Sequence, residues 1–195
     1  MSARLVVGID ADTMGLAWCG LAAGKVVGCA YVQRRVPGRS KAGVFGEERV
    51  LATYDAGLKA LAGAWAELGA EVWMEDAYLA HGVRLGDDGV MPQRVKGFRA
   101  HCGALGEIRM ALRNVGVRCW MVEASTWQRE VLGGGLIRDE VKAASLRLAR
   151  EEGGLGKVWD VCEHRADAYC VARYGAGAGR LVQGELLAAE RGGLA

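Results

Sequence analysis

The 195-residue chain has two prolines, two phenylalanines and no cysteine pair at the Cys-x-x-Cys spacing. The missing pairs exclude a zinc ribbon and a thioredoxin-type redox motif. Cys19, Cys29, Cys102, Cys119, Cys162 and Cys170 stand singly, mostly in apolar company, and read as reduced core thiols. Glycine is abundant at 30 residues, but it is dispersed and almost without proline, which excludes collagen and a Pro-rich linker and indicates many tight turns. No apolar run approaches the ~18 residues of a membrane span, and Met1 to Asp10 lacks the layout of a signal peptide. A soluble, cytoplasmic protein with no membrane partner is expected. Neither sign of charge dominates, with 25 Lys and Arg against 23 Asp and Glu, so any nucleic-acid surface must come from local clustering. What remains is ordinary globular composition, 51% apolar and 25% charged. The length suffices for one domain that buries ~70% of its unfolded surface.

Apolar patterning orders the elements. Arg4 to Asp10, Gly15 to Ala22 and Lys25 to Val32 are three strands whose short turns require an antiparallel meander. Glu47 to Leu68 places Val50, Leu51, Tyr54, Leu58, Leu61 and Trp65 at helical spacing, with Gly69 as the stop. Glu71 to Glu75 is a fourth strand, Val95 to Val115 a second helix, and Val117 to Val122 a fifth strand. Helices between these strands imply parallel crossovers. Ser125 is expected to cap a short helix to Leu132, followed by helices over Asp139 to Glu151 and Glu163 to Tyr174. The fold class is therefore α/β, a mixed five-stranded sheet covered on both faces. Residues 1–175 form the expected domain and residues 176–195 a Gly- and Ala-rich tail.

Four side chains stand out. Asp10 ends the first strand, Glu75 ends the fourth, and the last helix carries His164 and Asp167. If the first and fourth strands are neighbours, both carboxylates project toward that helix. Residues three apart on a helix share a face, so His164 and Asp167 address a common point. Converging carboxylates repel one another unless cations fill the cluster. Oxygen ligation favours Mg²⁺, with Mn²⁺ as substitute, and two such ions ~3.5–4 Å apart serve phosphodiester hydrolysis. Each residue also has a plain reading. Asp10 suits a turn, Asp12 suits one better, and Asp167 could pair with Arg165 on a solvated face.

The segments Gly8-Ile9-Asp10, Trp73-Met74-Glu75-Asp76-Ala77-Tyr78 and His164-Arg165-Ala166-Asp167-Ala168 resemble the three acidic motifs of the RuvC-like Holliday junction resolvases, in the RNase H-like superfamily. The strand and helix order is also what that resemblance implies. It assigns divalent-metal binding and catalysis to Asp10, Glu75, Asp167 and, one turn before the last, His164. It implies a homodimer that cuts four-way DNA junctions symmetrically in recombination and repair, in a bacterial or phage-infected cell. It further implies an aromatic wedge at Tyr78 and a basic, Gly-containing stretch reaching DNA between Ser125 and Lys142. Two departures leave questions open: Asp12 adds a carboxylate after the first motif, and Glu163 rivals His164 as the fourth ligand.

For DNA contacts the candidates are Tyr78, Arg34, Arg35, Arg94, Lys96, Arg99, Arg129 and Lys142, since cationic loops attract phosphates without base specificity. Charged loops are equally common on surfaces that bind nothing. The stripe of Leu105, Ile108 and Leu112 offers either a dimer contact or a face buried on its own sheet. Three other functions compete: a nuclease for RNA or RNA–DNA hybrids, a non-catalytic junction-binding protein, and an actin-type ATP-binding protein.

Overall fold

The computed structural model describes residues 4–34, 43–76, 93–157 and 161–192, with 43–50, 93–97 and 178–192 as backbone only. The chain forms β1 (Leu5–Ala11), β2 (Gly15–Ala22) and β3 (Lys25–Gln33), then α1 (Gly43–Glu67), β4 (Glu71–Glu75), α2 (Gln93–Asn114) and β5 (Cys119–Val122). Three helices follow: α3 (Ala124–Leu132), α4 (Arg138–Glu151) and α5 (Glu163–Gly192). The sheet order is β3-β2-β1-β4-β5, with β1, β2 and β3 antiparallel and β1, β4 and β5 parallel. This is the expected mixed five-stranded sheet.

Local chemistry sets the connections. Ala23 and Gly24 both take positive φ, 50° and 77°, as a two-residue hairpin loop requires. Between β1 and β2 the Asp12 carboxylate accepts hydrogen bonds from the amides of Met14 (2.7 Å) and Gly15 (2.9 Å), so Asp12 is the turn residue. β1 is buried along nearly its whole length because it lies mid-sheet with helices on both faces. Ile9 pairs with Met74, which sets Asp10 and Glu75 side by side at the ends of adjacent parallel strands.

The two faces are packed differently. On one, Val7, Ile9, Leu16, Val72 and Met74 meet Tyr54, Leu58 and Trp65 of α1 and Leu105, Ile108 and Leu112 of α2. The Leu105, Ile108 and Leu112 stripe is thereby buried on its own sheet and is not a dimer contact. On the other face Ala17, Cys19, Leu21, Cys29 and Val122 meet Trp127 of α3, Ala149 of α4 and Ala166, Ala168 and Ala172 of α5. There α5 lies on the backbone of β1. A Cβ at Gly8 would stand 2.1 Å from the Ala168 carbonyl oxygen and 2.2 Å from the Ala172 nitrogen.

Three local expectations are corrected. Helix α5 does not stop at Tyr174 but runs to Gly192 through most of the segment read as a tail. Gly175 is a point of close approach rather than a breaker, since a Cβ there would lie 2.2 Å from the Trp73 ring. Ser125 does not cap α3: the helix starts at Ala124 directly after β5, Glu123 is its N-cap, and Thr126 and Trp127 donate their amides to the Glu123 carbonyl. All six cysteines are free, but only Cys19, Cys29 and Cys170 are buried; Cys102 on α2 and Cys162, just before α5, are exposed. Among the described residues no helix is long and apolar enough to cross a membrane.

Candidate metal and nucleic-acid site

The ends of β1 and β4 and the first two turns of α5 bring the four predicted side chains to one place. His164 Nδ1 stands 2.7 Å from Asp10 Oδ2, and its Nε2 lies 3.7 Å from Asp12 Oδ2. The two candidates for a fourth ligand have different partners. His164 faces Asp10, whereas Glu163 accepts a 2.5 Å bond from Lys142 Nζ on α4. The Tyr31 ring of β3 lies over the His164 ring, with centroids 5.8 Å apart, and also packs against Gly15, where a Cβ would come within 2.7 Å of it.

Glu75 is held from the other side. The indole of Trp127, fully buried on α3, donates Nε1–H to Glu75 Oε2 at 2.8 Å. Asp167 sits one turn beyond His164 with Oδ1 buried, facing the buried hydroxyl of Ser145 on α4, which favours the charged carboxylate. Crowding shows in the proton affinities. Burial first, then the Asp10 charge, pushes Glu75 up to about 8, with the indole bond opposing. Burial and Asp10 likewise raise Asp167 to about 6. His164 rises to about 9, chiefly through its hydrogen bond to Asp10, with burial opposing.

Oxygen donors, mutual repulsion and buried carboxylates are what a hard divalent cation satisfies. Asp10, Glu75 and Asp167 fit that group, with His164 as the nitrogen at its rim. Among the described residues no three His, Cys, Asp or Glu side chains stand at ligating distance from a common point. Here His164 bonds Asp10 Oδ2 and the Trp127 indole bonds Glu75 Oε2.

The predicted DNA contacts are not all alike. Arg34 is engaged with α2, donating Nε to Glu107 Oε2 (3.1 Å) and Nη2 to Glu107 Oε1 (2.6 Å). Arg99 is exposed on α2, and Arg129 is exposed on α3, 3.8 Å from Glu130. Tyr78 and Arg35 lie outside the described residues, as do the side chains of Arg94 and Lys96. Sequence reasoning passed over two polar groups that touch the carboxylate strands. One is Trp127. The other is His101 of α2, whose Nε2–H donates to the Ala11 carbonyl at 2.6 Å. The signal for His101 was a polar residue one turn before Leu105 on an otherwise apolar face; for Trp127 it was one large aromatic in a short polar helix.

No protein-family model matches the chain, and no curated protein sequence matches it. Solved structures do. T. thermophilus RuvC in complex with Holliday junction substrate is 19% identical, with a TM-score of 0.59 over 91% of this chain and 96% of that one. A second Thermus thermophilus RuvC structure is 20% identical, with the same score and coverage. The chain has a RuvC-like fold of the RNase H-like kind.

Proposed function

We propose that the chain is a divalent-metal-dependent, structure-selective endonuclease that resolves four-way DNA junctions, working as a homodimer on branched DNA in recombination and repair. The observation that carries this reading is the convergence of Asp10, Glu75 and Asp167, with His164, on the α5 face of a RuvC-like sheet. The similar structure solved with a Holliday junction substrate supports the choice of substrate.

Asp10, Glu75 and Asp167 would hold Mg²⁺, or Mn²⁺ in its place, with two ions per site. The chemistry supplied by such ions is polarisation of the phosphodiester and activation of the attacking water. The residues prepare that chemistry in distinct ways. His164 keeps Asp10 oriented and offsets negative charge in the carboxylate cluster. The same ring stands between two carboxylates, with Nδ1 2.7 Å from Asp10 Oδ2 and Nε2 3.7 Å from Asp12 Oδ2. Asp167, buried beside the Ser145 hydroxyl, would offer its carboxylate to a cation from the α5 side. Arg99, Arg129 and Lys142, with Tyr78, Arg35, Arg94 and Lys96, are the proposed contacts to DNA. A junction has approximate twofold symmetry, so symmetric cutting asks for two sites on a dyad.

The test is cleavage of a labelled four-way junction beside linear duplex, RNA–DNA hybrid and single strand, in Mg²⁺, Mn²⁺ or EDTA, for wild type and Asp10→Asn. Paired symmetric nicks on the junction alone, lost in EDTA and in the variant, are expected. Cutting of the hybrid instead would move the substrate to RNA, and binding without cutting would make the chain a junction-binding protein.

A further inference from the structure

Trp127 does not behave as a core tryptophan. It is fully buried among small residues of the α5 face, yet its one polar atom is aimed at a residue of the carboxylate cluster, 2.8 Å from Glu75 Oε2. We infer that Trp127 is a positioning residue for the metal site. It fixes one oxygen of Glu75 so that the other faces Asp10 and Asp167. This rests on the metal-dependent reading above and adds a residue to it.

The local path explains how a core residue reaches the site. β5 pairs with β4 through Val122 opposite Glu75, and the Asp76 amide donates to the Val122 carbonyl (2.8 Å), tying the two strand ends together. The chain then turns directly into α3, whose first turn is closed by the amides of Thr126 and Trp127 on the Glu123 carbonyl. The indole is thereby carried back over the end of β4.

The chemistry of the donor matters as much as its position. An indole N–H donates and never accepts, and it carries no charge. In a cluster that already holds three carboxylates, it orients one of them without taking part in the charge balance, unlike a lysine or arginine. It also takes one acceptor position of Oε2, which fixes the plane in which the Glu75 carboxylate can meet a cation. Partners of this kind around a metal site change affinity by ~10–100-fold when removed.

The experiment is Mn²⁺ binding by calorimetry, without DNA, for wild type, Trp127→Phe, Glu75→Gln and the double variant. Phe keeps most of the buried ring and deletes the donor. Trp127→Phe is expected to weaken Mn²⁺ binding ~10-fold in the wild-type background and less than ~2-fold on top of Glu75→Gln, because the indole acts through Glu75. Unchanged affinity in Trp127→Phe, or an equal loss in both backgrounds, would overturn the inference while leaving the metal site standing. A wild type that binds no Mn²⁺ would remove the metal reading and this inference with it. Should Trp127→Phe fail to fold, indole ¹H–¹⁵N spectra of wild type and Glu75→Gln decide. Of the six tryptophans, one slowly exchanging N–H is expected to shift strongly on the substitution. Six unmoved resonances would overturn the assignment.

Discussion

The two faces of the sheet solve different problems. The face under α1 and α2 is filled by large side chains, Tyr54, Leu58, Trp65, Met74, Leu105, Ile108 and Leu112, and the described carboxylates of the cluster lie off it. The face under α5 mixes alanine and cysteine with large side chains such as Leu21, Trp127 and Tyr169, and at Gly8 the helix rests on the strand backbone itself. Bulk burial contributes most to stability, at ~25 cal/mol per Å² of apolar surface, but tolerates small shifts. Backbone contact contributes less area and sets position. The molecule places its carboxylates where position is set most tightly.

The largest expected effect tests that contrast. Gly8→Val would drive α5 off β1, since even a Cβ meets the Ala168 carbonyl and Ala172 nitrogen. A loss beyond ~4 kcal/mol is expected in denaturant unfolding, with loss of Mn²⁺ binding. Ile108→Ala, on the opposite face, should cost ~2–5 kcal/mol through its cavity yet leave Mn²⁺ affinity within about twofold in the fraction that is folded. Equal loss of metal binding in both variants would erase the distinction between the faces.

Next in size is the apo cluster. Asp167→Asn removes one of the crowded buried charges and should abolish junction cleavage while stabilising the metal-free fold at pH 8 by ~1–2 kcal/mol. The parent protein should show the matching pH dependence in EDTA. Glu75 rises from 4.5 to about 8, Asp167 from 3.8 to about 6 and His164 from 6.5 to about 9. In each case the folded protein keeps a proton that the unfolded chain releases, so stability is full below about pH 4 and falls as pH rises toward about 9. Thermal unfolding across pH 4 to 9 in EDTA checks this, and saturating Mg²⁺ should flatten the carboxylate part. A melting temperature that climbs over that range would contradict the crowded-carboxylate picture.

Much of this was legible beforehand, and what was not has a physical reason. Strand and helix order followed from apolar spacing, because burial on a pleat or helix face imposes periods of two and 3.6. Asp10 and Glu75 could be placed because each ends an apolar strand, and Asp167 because it stands three residues after His164 on one helix face. Glycine carries no such pattern. The last helix was expected to end at Tyr174 because the sequence does not say that the Trp73 ring packs on Gly175. Trp127 and His101 were hidden for a related reason: a ring on a buried helix face has the same spacing whether its polar atom is idle or bound to a strand end.

Arg34 sharpens the comparison at the small end. It follows β3, and its amide donates to the Met14 carbonyl (2.6 Å) while its guanidinium makes a two-pronged bond to Glu107 of α2. Its side chain is only 13% exposed against 50% for Glu107, so it is the half-hidden member of a surface pair. Such pairs are worth ~0–1 kcal/mol, and Arg34→Ala should lower stability by no more than that. The decisive measurement is the salt dependence of junction binding. Each phosphate contact contributes ~0.9 to the slope of log affinity against log salt. An Arg34 that serves the α2 side of the sheet leaves that slope unchanged when removed, whereas exposed Arg129, on the α5 side, should reduce it by about one contact. A reduction with Arg34→Ala would mean that the arginine exchanges Glu107 for phosphate when DNA arrives, and that the binding surface reaches around the sheet edge to both faces.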